Sequence, residues 1–134
     1  MARTTKVGEP SLQLRSSGFT LIELLVVLAI LAILGAMVVP QYIERVQDAR
    51  EAVLRENLHK TRKVIDEFYR DQGRYPSKLE ELVTMRYLRD LPIDPLLERK
   101  DAWRLIQPEG QAGIIDLRSA APGQGRNGTP YVQW

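Results

Sequence analysis

Glu23 is the residue in this sequence whose chemistry most needs a partner. It closes the stretch GFTLIE, residues 18–23, and sixteen residues without a polar side chain follow it, LLVVLAILAILGAMVV at 24–39. A carboxylate beside such a run must reach water or meet a cation, because an unpaired charge in a low-dielectric setting is costly. Elsewhere the chain offers little catalytic chemistry. His59 is the only histidine, and there is no cysteine. Between Leu58 and Lys60, His59 reads as a solvated helix position. The serines have no base constellation to activate them. Gly123 and Gly125 form a loose pair without a phosphate-loop pattern. Asn127-Gly128-Thr129 matches a glycosylation sequon, but Asn-Gly is also a strong tight-turn dipeptide, and the turn reading is preferred. No enzyme activity, cofactor or metal site is expected from these residues.

The element that must position Glu23 is the apolar run itself. Residues 19–39 are 21 in number, about 32 Å as a helix at 1.5 Å per residue, which matches the hydrocarbon core of a bilayer at roughly 30 Å. Before Phe19 stand Arg3, Lys6 and Arg15 against Glu9; after it, 16 basic residues face 16 acidic ones. The basic character therefore belongs to the N-terminal extension, and a basic segment before an apolar run orients a membrane helix with its positive end in the cytoplasm. Lys and Arg are interleaved with Asp and Glu in the remainder, so no nucleic-acid surface is expected. Without cysteine, an exported domain has to be stable without disulfides.

Three readings compete for the extension and the run. An ordinary secretory signal should have an apolar region of about 7–15 residues and a small-residue cleavage site; here the run is longer and ends in Met37-Val38-Val39-Pro40-Gln41. A plain membrane anchor leaves Glu23 and the Gly-Phe junction unexplained. The third reading accounts for both. GFTLIE followed by an unbroken apolar helix resembles the class III signal of the type IV pilins and type II secretion pseudopilins. The resemblance implies that a prepilin peptidase cuts between Gly18 and Phe19, on the cytoplasmic side, and methylates the new N-terminal Phe19. It also implies that Glu23 pairs with the methylated amine of a neighbouring subunit's Phe19, which would set the register of assembly. A charge pair in low dielectric is strongly favoured over either charge alone. The simpler alternative is an interfacial glutamate that reaches back to water.

Pro40 ends the apolar run and predicts a kink, since proline removes a helical hydrogen bond. Beyond it Tyr42, Val46, Ala49 and Val53, then Leu54, Leu58, Ile65 and Phe68, form a drifting apolar stripe. The pattern predicts one helix from near Thr20 to near Asp71. Gly73 and Pro76 stop it. Ser77 and Glu80 have capping-box spacing for a short helix, and YLRDLPIDP at 87–95 reads as loop. Strands are expected at 102–107, 113–118 and 129–133. The fold class is α+β and pilin-like: a long N-terminal helix, membrane-spanning in its first half, packed on a small head with a short helix and about three antiparallel strands. The domains are a cleaved leader at 1–18, a transmembrane and assembly helix at 19–40, and a periplasmic head at 41–134.

GRYP and the LPIDP segment resemble the matching connection of the type II secretion major pseudopilin. That resemblance implies a structural subunit of a homopolymeric pseudopilus. Its partners would be further copies of itself, the prepilin peptidase, minor pseudopilins, and an inner-membrane platform protein with its ATPase. It would be a single-pass protein of the bacterial inner membrane, with its N-terminus cytoplasmic and its head periplasmic. Two alternatives stay open: a type IV pilus pilin for adhesion, motility or DNA uptake, and a non-polymerising bitopic protein with a partner-binding head. The family also commonly binds calcium between its last two strands. Here residues 119–134 hold no side-chain carboxylate and Asp116 stands nearly alone, so calcium, which wants six to eight oxygen ligands, is not expected.

Overall fold

A computed structural model describes residues 1–3, 8 and 17–134 of the chain. The expected leader at 1–18, with Lys6, Glu9 and Arg15, lies largely outside the described residues. The chain divides into two units, Met1–Val39 and Pro40–Trp134. Helix α1 covers Leu21–Gln72 and carries Pro40 inside it. In the first unit its apolar side chains are exposed, and none of the most apolar stretch is buried within the molecule.

The second unit is the head. The buried positions on its part of α1 are Glu51, Leu54, Leu58, Thr61, Ile65 and Phe68. Their alternating spacing of three and four marks a single helix face. Four of them belong to the expected stripe. Its earlier members do not share that face: Tyr42, Ala49 and Val53 are exposed and Val46 is half-buried. The drift of the stripe thus separates two faces, of which the head covers one. Thr61 is tolerated in the core because its hydroxyl donates to the Asn57 carbonyl at 2.7 Å.

α1 stops where the sequence predicts. Gly73 takes φ +67° and its N–H bonds the Tyr69 carbonyl at 2.8 Å, a left-handed helix end that suits glycine. The next helix, α2, covers Leu79–Thr84. The expected Ser77–Glu80 box is replaced by a contact one residue on. The Ser77 N–H and hydroxyl donate to Glu81 Oε2 at 2.8 and 3.0 Å. Because α2 begins two residues after Ser77, it is Glu81 that reaches back. Its hydrogen bond from Arg74, reinforced by the Ser77 N–H, pulls the carboxyl down to about 2.

Residues 87–95 are irregular, as expected, and organised by Asp94. This fully buried carboxylate accepts from the N–H groups of Leu96 and Leu97 at 2.9 and 3.3 Å and from the Ser119 hydroxyl at 2.6 Å. A buried charge so satisfied acts as a clamp between the loop and the sheet. Strands β1, Trp103–Ile106, and β2, Asp116–Ser119, pair antiparallel with Trp103 opposite Ser119 and Ile106 opposite Asp116.

The third expected strand does not form. Residues Tyr131–Gln133 make a 3-10 turn, and only an isolated bridge joins Gln124 to Pro130. Proline has no N–H to donate to a ladder. The Tyr131 N–H instead bonds the Gly123 carbonyl at 3.2 Å, and the chain turns back onto α1. Trp103, Ile114, Leu117 and Tyr131 close the core over the buried face of α1.

Candidate processing and assembly site

Gly18 and Phe19 precede α1 in exposed, non-helical chain. Phe19 is 91% exposed, and nothing lies within 4 Å of where a Cβ on Gly18 would stand.

Glu23 has a local partner that the sequence reading missed. The Thr20 N–H donates to Glu23 Oε2 at 3.1 Å and the Thr20 hydroxyl to the same oxygen at 3.3 Å, while the Glu23 N–H donates to Thr20 Oγ1 at 3.3 Å. This is a capping box: two otherwise orphaned backbone donors at the helix start are satisfied reciprocally. The signal was legible, because Thr20-Leu-Ile-Glu23 has the required spacing. The arrangement draws the carboxylate back to the positive end of the α1 dipole, one residue from the Phe19 nitrogen. Both bonds use Oε2; among the described residues Oε1 accepts none, so it can still meet a cation. Gly18, Phe19 and Glu23 therefore stand together in the first unit. Pro40 opens the second unit and takes no part in that cluster.

The head holds a second polar cluster. Glu51, 5% exposed, accepts from the Tyr131 hydroxyl at 2.8 Å and from the Arg126 N–H at 3.2 Å. Gln47 donates to the same Tyr131 oxygen at 2.8 Å. Burial, and next the bond to Glu51, pushes the Tyr131 hydroxyl above its usual range. The Arg126 side chain meets Asp48 at 2.5 Å. These bonds fix residues 123–131 to α1. Sequence reasoning had no means to pair Glu51 with a residue 80 positions away.

The residues present do not fit a calcium site. No group of three or more His, Cys, Asp or Glu side chains that could hold a metal occurs among the described residues. The buried carboxylates Glu51 and Asp94 are occupied by protein donors, and the loop brings a guanidinium. Millimolar calcium should therefore move the melting temperature of residues 40–134 by no more than about a degree, since a ligand stabilises only when it binds the native state. A rise of several degrees would show that the loop takes the ion.

Residues 14–39 match the family described as "Prokaryotic N-terminal methylation motif". Over most of its length the chain is similar to proteins named "Type II secretion system core protein G". The protein from Pseudomonas aeruginosa is 37% identical over 121 residues, covering 78% of this chain and 82% of the relative. That from Pectobacterium carotovorum is 33% identical, covering 81% and 77%. That from Klebsiella pneumoniae is 31% identical, covering 81% and 86%. No solved structure matches the chain significantly.

Proposed function

The chain belongs to the family of the type II secretion system core protein G, and on that premise we propose how its residues serve a pseudopilus. It is a major pseudopilin, a structural filament subunit of type II protein secretion, anchored by a single apolar helix. The type IV pilin reading is not favoured, because the similarity to core protein G runs through the head as well as the anchor. Its relatives are structural, and no catalytic role is proposed for it.

In the proposed scheme a prepilin peptidase removes residues 1–18 and methylates Phe19. The apolar helix at 19–40 anchors the subunit until assembly, with the head at 41–134 in the periplasm and the basic N-terminus in the cytoplasm. Pro40 bends α1 where it leaves the bilayer. Glu23 receives the methylated amine of a neighbour's Phe19. Minor pseudopilins, the inner-membrane platform protein and its ATPase would drive extension. What supports processing is the exposed, non-helical Gly18–Phe19 bond beside a carboxylate already drawn to the helix start.

Intact-mass measurement of membrane-extracted protein tests it. The mature chain should begin at Phe19 and carry one extra methyl group. A bulky residue at position 18 should block the cut, whereas Gly18→Ala, which meets no neighbouring atom, should leave it largely intact. A full-length chain in cells with active peptidase, or an N-terminus beyond Val39, would overturn the scheme.

A further inference from the structure

The chain has two asparagines, Asn57 and Asn127, and their surroundings are opposite. Asn57 lies well inside α1, is followed by Leu58, and its side-chain amide donates to the Ile93 carbonyl at 2.8 Å. Asn127 is exposed, is followed by Gly128, and sits in the loop Arg126-Asn127-Gly128. Two bonds of 2.9 Å close that loop, the Gly128 N–H on the Gly125 carbonyl and the Gly125 N–H on the Thr129 carbonyl, and Gly128 takes φ +78°. This is the pattern of a tight turn that ends in a left-handed glycine. Asn127 Oδ1 accepts the Thr129 N–H at 3.1 Å, which polarises the side-chain carbonyl and leaves its carbon the more electrophilic. Nδ2 of Asn127 donates to nothing among the described residues. A Cβ on Gly128 would meet nothing within 4 Å, so the space beside the turn is open to solvent.

We propose that Asn127 is a site of spontaneous deamidation, converted to aspartate and isoaspartate through a cyclic imide with Gly128. The Gly128 backbone nitrogen, once its proton has passed to hydroxide, attacks Cγ of Asn127. The Cγ–Nδ2 bond breaks, and Nδ2 takes a proton from water and leaves as ammonia. Water then opens the imide at either carbonyl. One opening gives aspartate; the other gives isoaspartate, with the main chain rerouted through Cγ. Water is the only co-reactant, and nothing is oxidised or reduced. Glycine suits the step because without a Cβ its nitrogen can be approached closely. In the folded chain the bond to the Gly125 carbonyl holds that nitrogen, so attack waits on opening of the turn. An exposed turn closed by two backbone bonds opens far more readily than the helix around Asn57. The two products differ in consequence. Asn127 lines two cavities, of about 260 and 440 Å³, and Arg55 lines both. Arg55 makes no ion pair among the described residues, so an aspartate at 127 gains a cation beside it. Isoaspartate instead adds a methylene to the main chain of the loop and breaks the register of its two closing bonds. That loosens the segment which Arg126 ties to Glu51 and Asp48.

The test ages the full chain, extracted in detergent, in mildly alkaline buffer and maps the mass gain of an NH2-to-OH exchange by peptide. Asn127 should convert at least about tenfold faster than Asn57, because it alone precedes a glycine in an exposed turn. Its rate should rise with pH, since the nucleophile is the deprotonated nitrogen. The converted peptide should separate into two isomers of equal mass, of which an isoaspartyl methyltransferase labels one. Asn127→Ser should abolish the gain in that peptide. Asn127→Asp makes the first product directly and should melt within about a degree of wild type or above it, as a partly exposed ion pair with Arg55 requires. The same change in an Arg55→Gln chain should lose that benefit. An Asn127→Asp chain that melts several degrees below wild type overturns the pairing with Arg55. Equal conversion at the two asparagines overturns the inference as a whole. So does a folded chain unconverted at Asn127 over a period in which the urea-unfolded chain converts fully.

Discussion

Gly113→Ala should lower the melting temperature of the head by at least about 8 °C. Gly113 adopts φ +114°, where an L side chain is strained, and a Cβ there would stand 2.6 Å from the Tyr75 Cβ and 3.0 Å from the Tyr75 carbonyl oxygen. The neighbour cannot yield easily. Tyr75 is stacked on Tyr69 at 4.4 Å, and the carbonyl of the next residue, Pro76, accepts the Ile114 N–H at 2.8 Å. Strain at an unfavourable φ costs about 1–3 kcal/mol, and overpacking typically about another 1–3. A combined loss of roughly 2–6 kcal/mol is a large share of the roughly 5–15 available to a domain. At about 4–8 °C per kcal/mol for a domain of this size, the melting shift follows. Gly110→Ala separates the two terms: Gly110 also has positive φ, at +74°, but a Cβ there would meet nothing within 4 Å. It should lose about half as much, since only the strain term applies. Thermal melts of residues 40–134 settle it, and a Gly113→Ala protein that melts within a degree or so of wild type would mean the Tyr75 contact relaxes freely.

The same two glycines show what a sequence can and cannot display. α1 is legible almost to the residue because helix periodicity, Gly73 and Pro76 are local signals. The junction at 18–23 is legible because its residues are contiguous. The box between Thr20 and Glu23 is equally local, yet a carboxylate that already has a candidate partner in another subunit does not prompt a search for one three residues away. The third strand misleads for a different reason. TPYVQ has strand-like residues, but whether it joins a ladder depends on the donor that Pro130 lacks and on the Gly123 carbonyl several residues away. Gly113 gives no signal of its crowding, since Tyr75 is far off in sequence. Glu51 and Asp94 likewise carry no local signal of burial, since the partners that satisfy them, Tyr131, Arg126 and Ser119, are far off in sequence. Local chemistry is visible in a sequence; burial of a charge is a tertiary fact.

Glu23→Gln should abolish assembly almost as completely as Glu23→Ala, and the comparison separates two roles for the carboxylate. One is closing the capping box with Thr20; the other is receiving the neighbour's amine. They differ in what glutamine preserves. A glutamine at the third helical position can still accept the Thr20 N–H, so it keeps the cap while losing the charge. If capping were the whole role, Glu23→Gln would assemble as wild type and Glu23→Ala would lose about 0.5–2 kcal/mol. If the pair dominates, both variants leave a charged amine unpaired on assembly, at ~3–5 kcal/mol. At about 1.4 kcal/mol per tenfold, that is a loss of roughly two to three orders of magnitude in the subunit equilibrium. Glu23→Asp keeps the charge with a shorter reach and should fall between them and wild type. Insertion and processing should be normal in all three, because the cut lies upstream and none of them adds a charge to the apolar helix. The measurement is the ratio of sheared filament to membrane-pool protein for each variant in an assembly-competent strain. Wild-type filament yield from Glu23→Gln would leave the capping box as the entire role of this carboxylate.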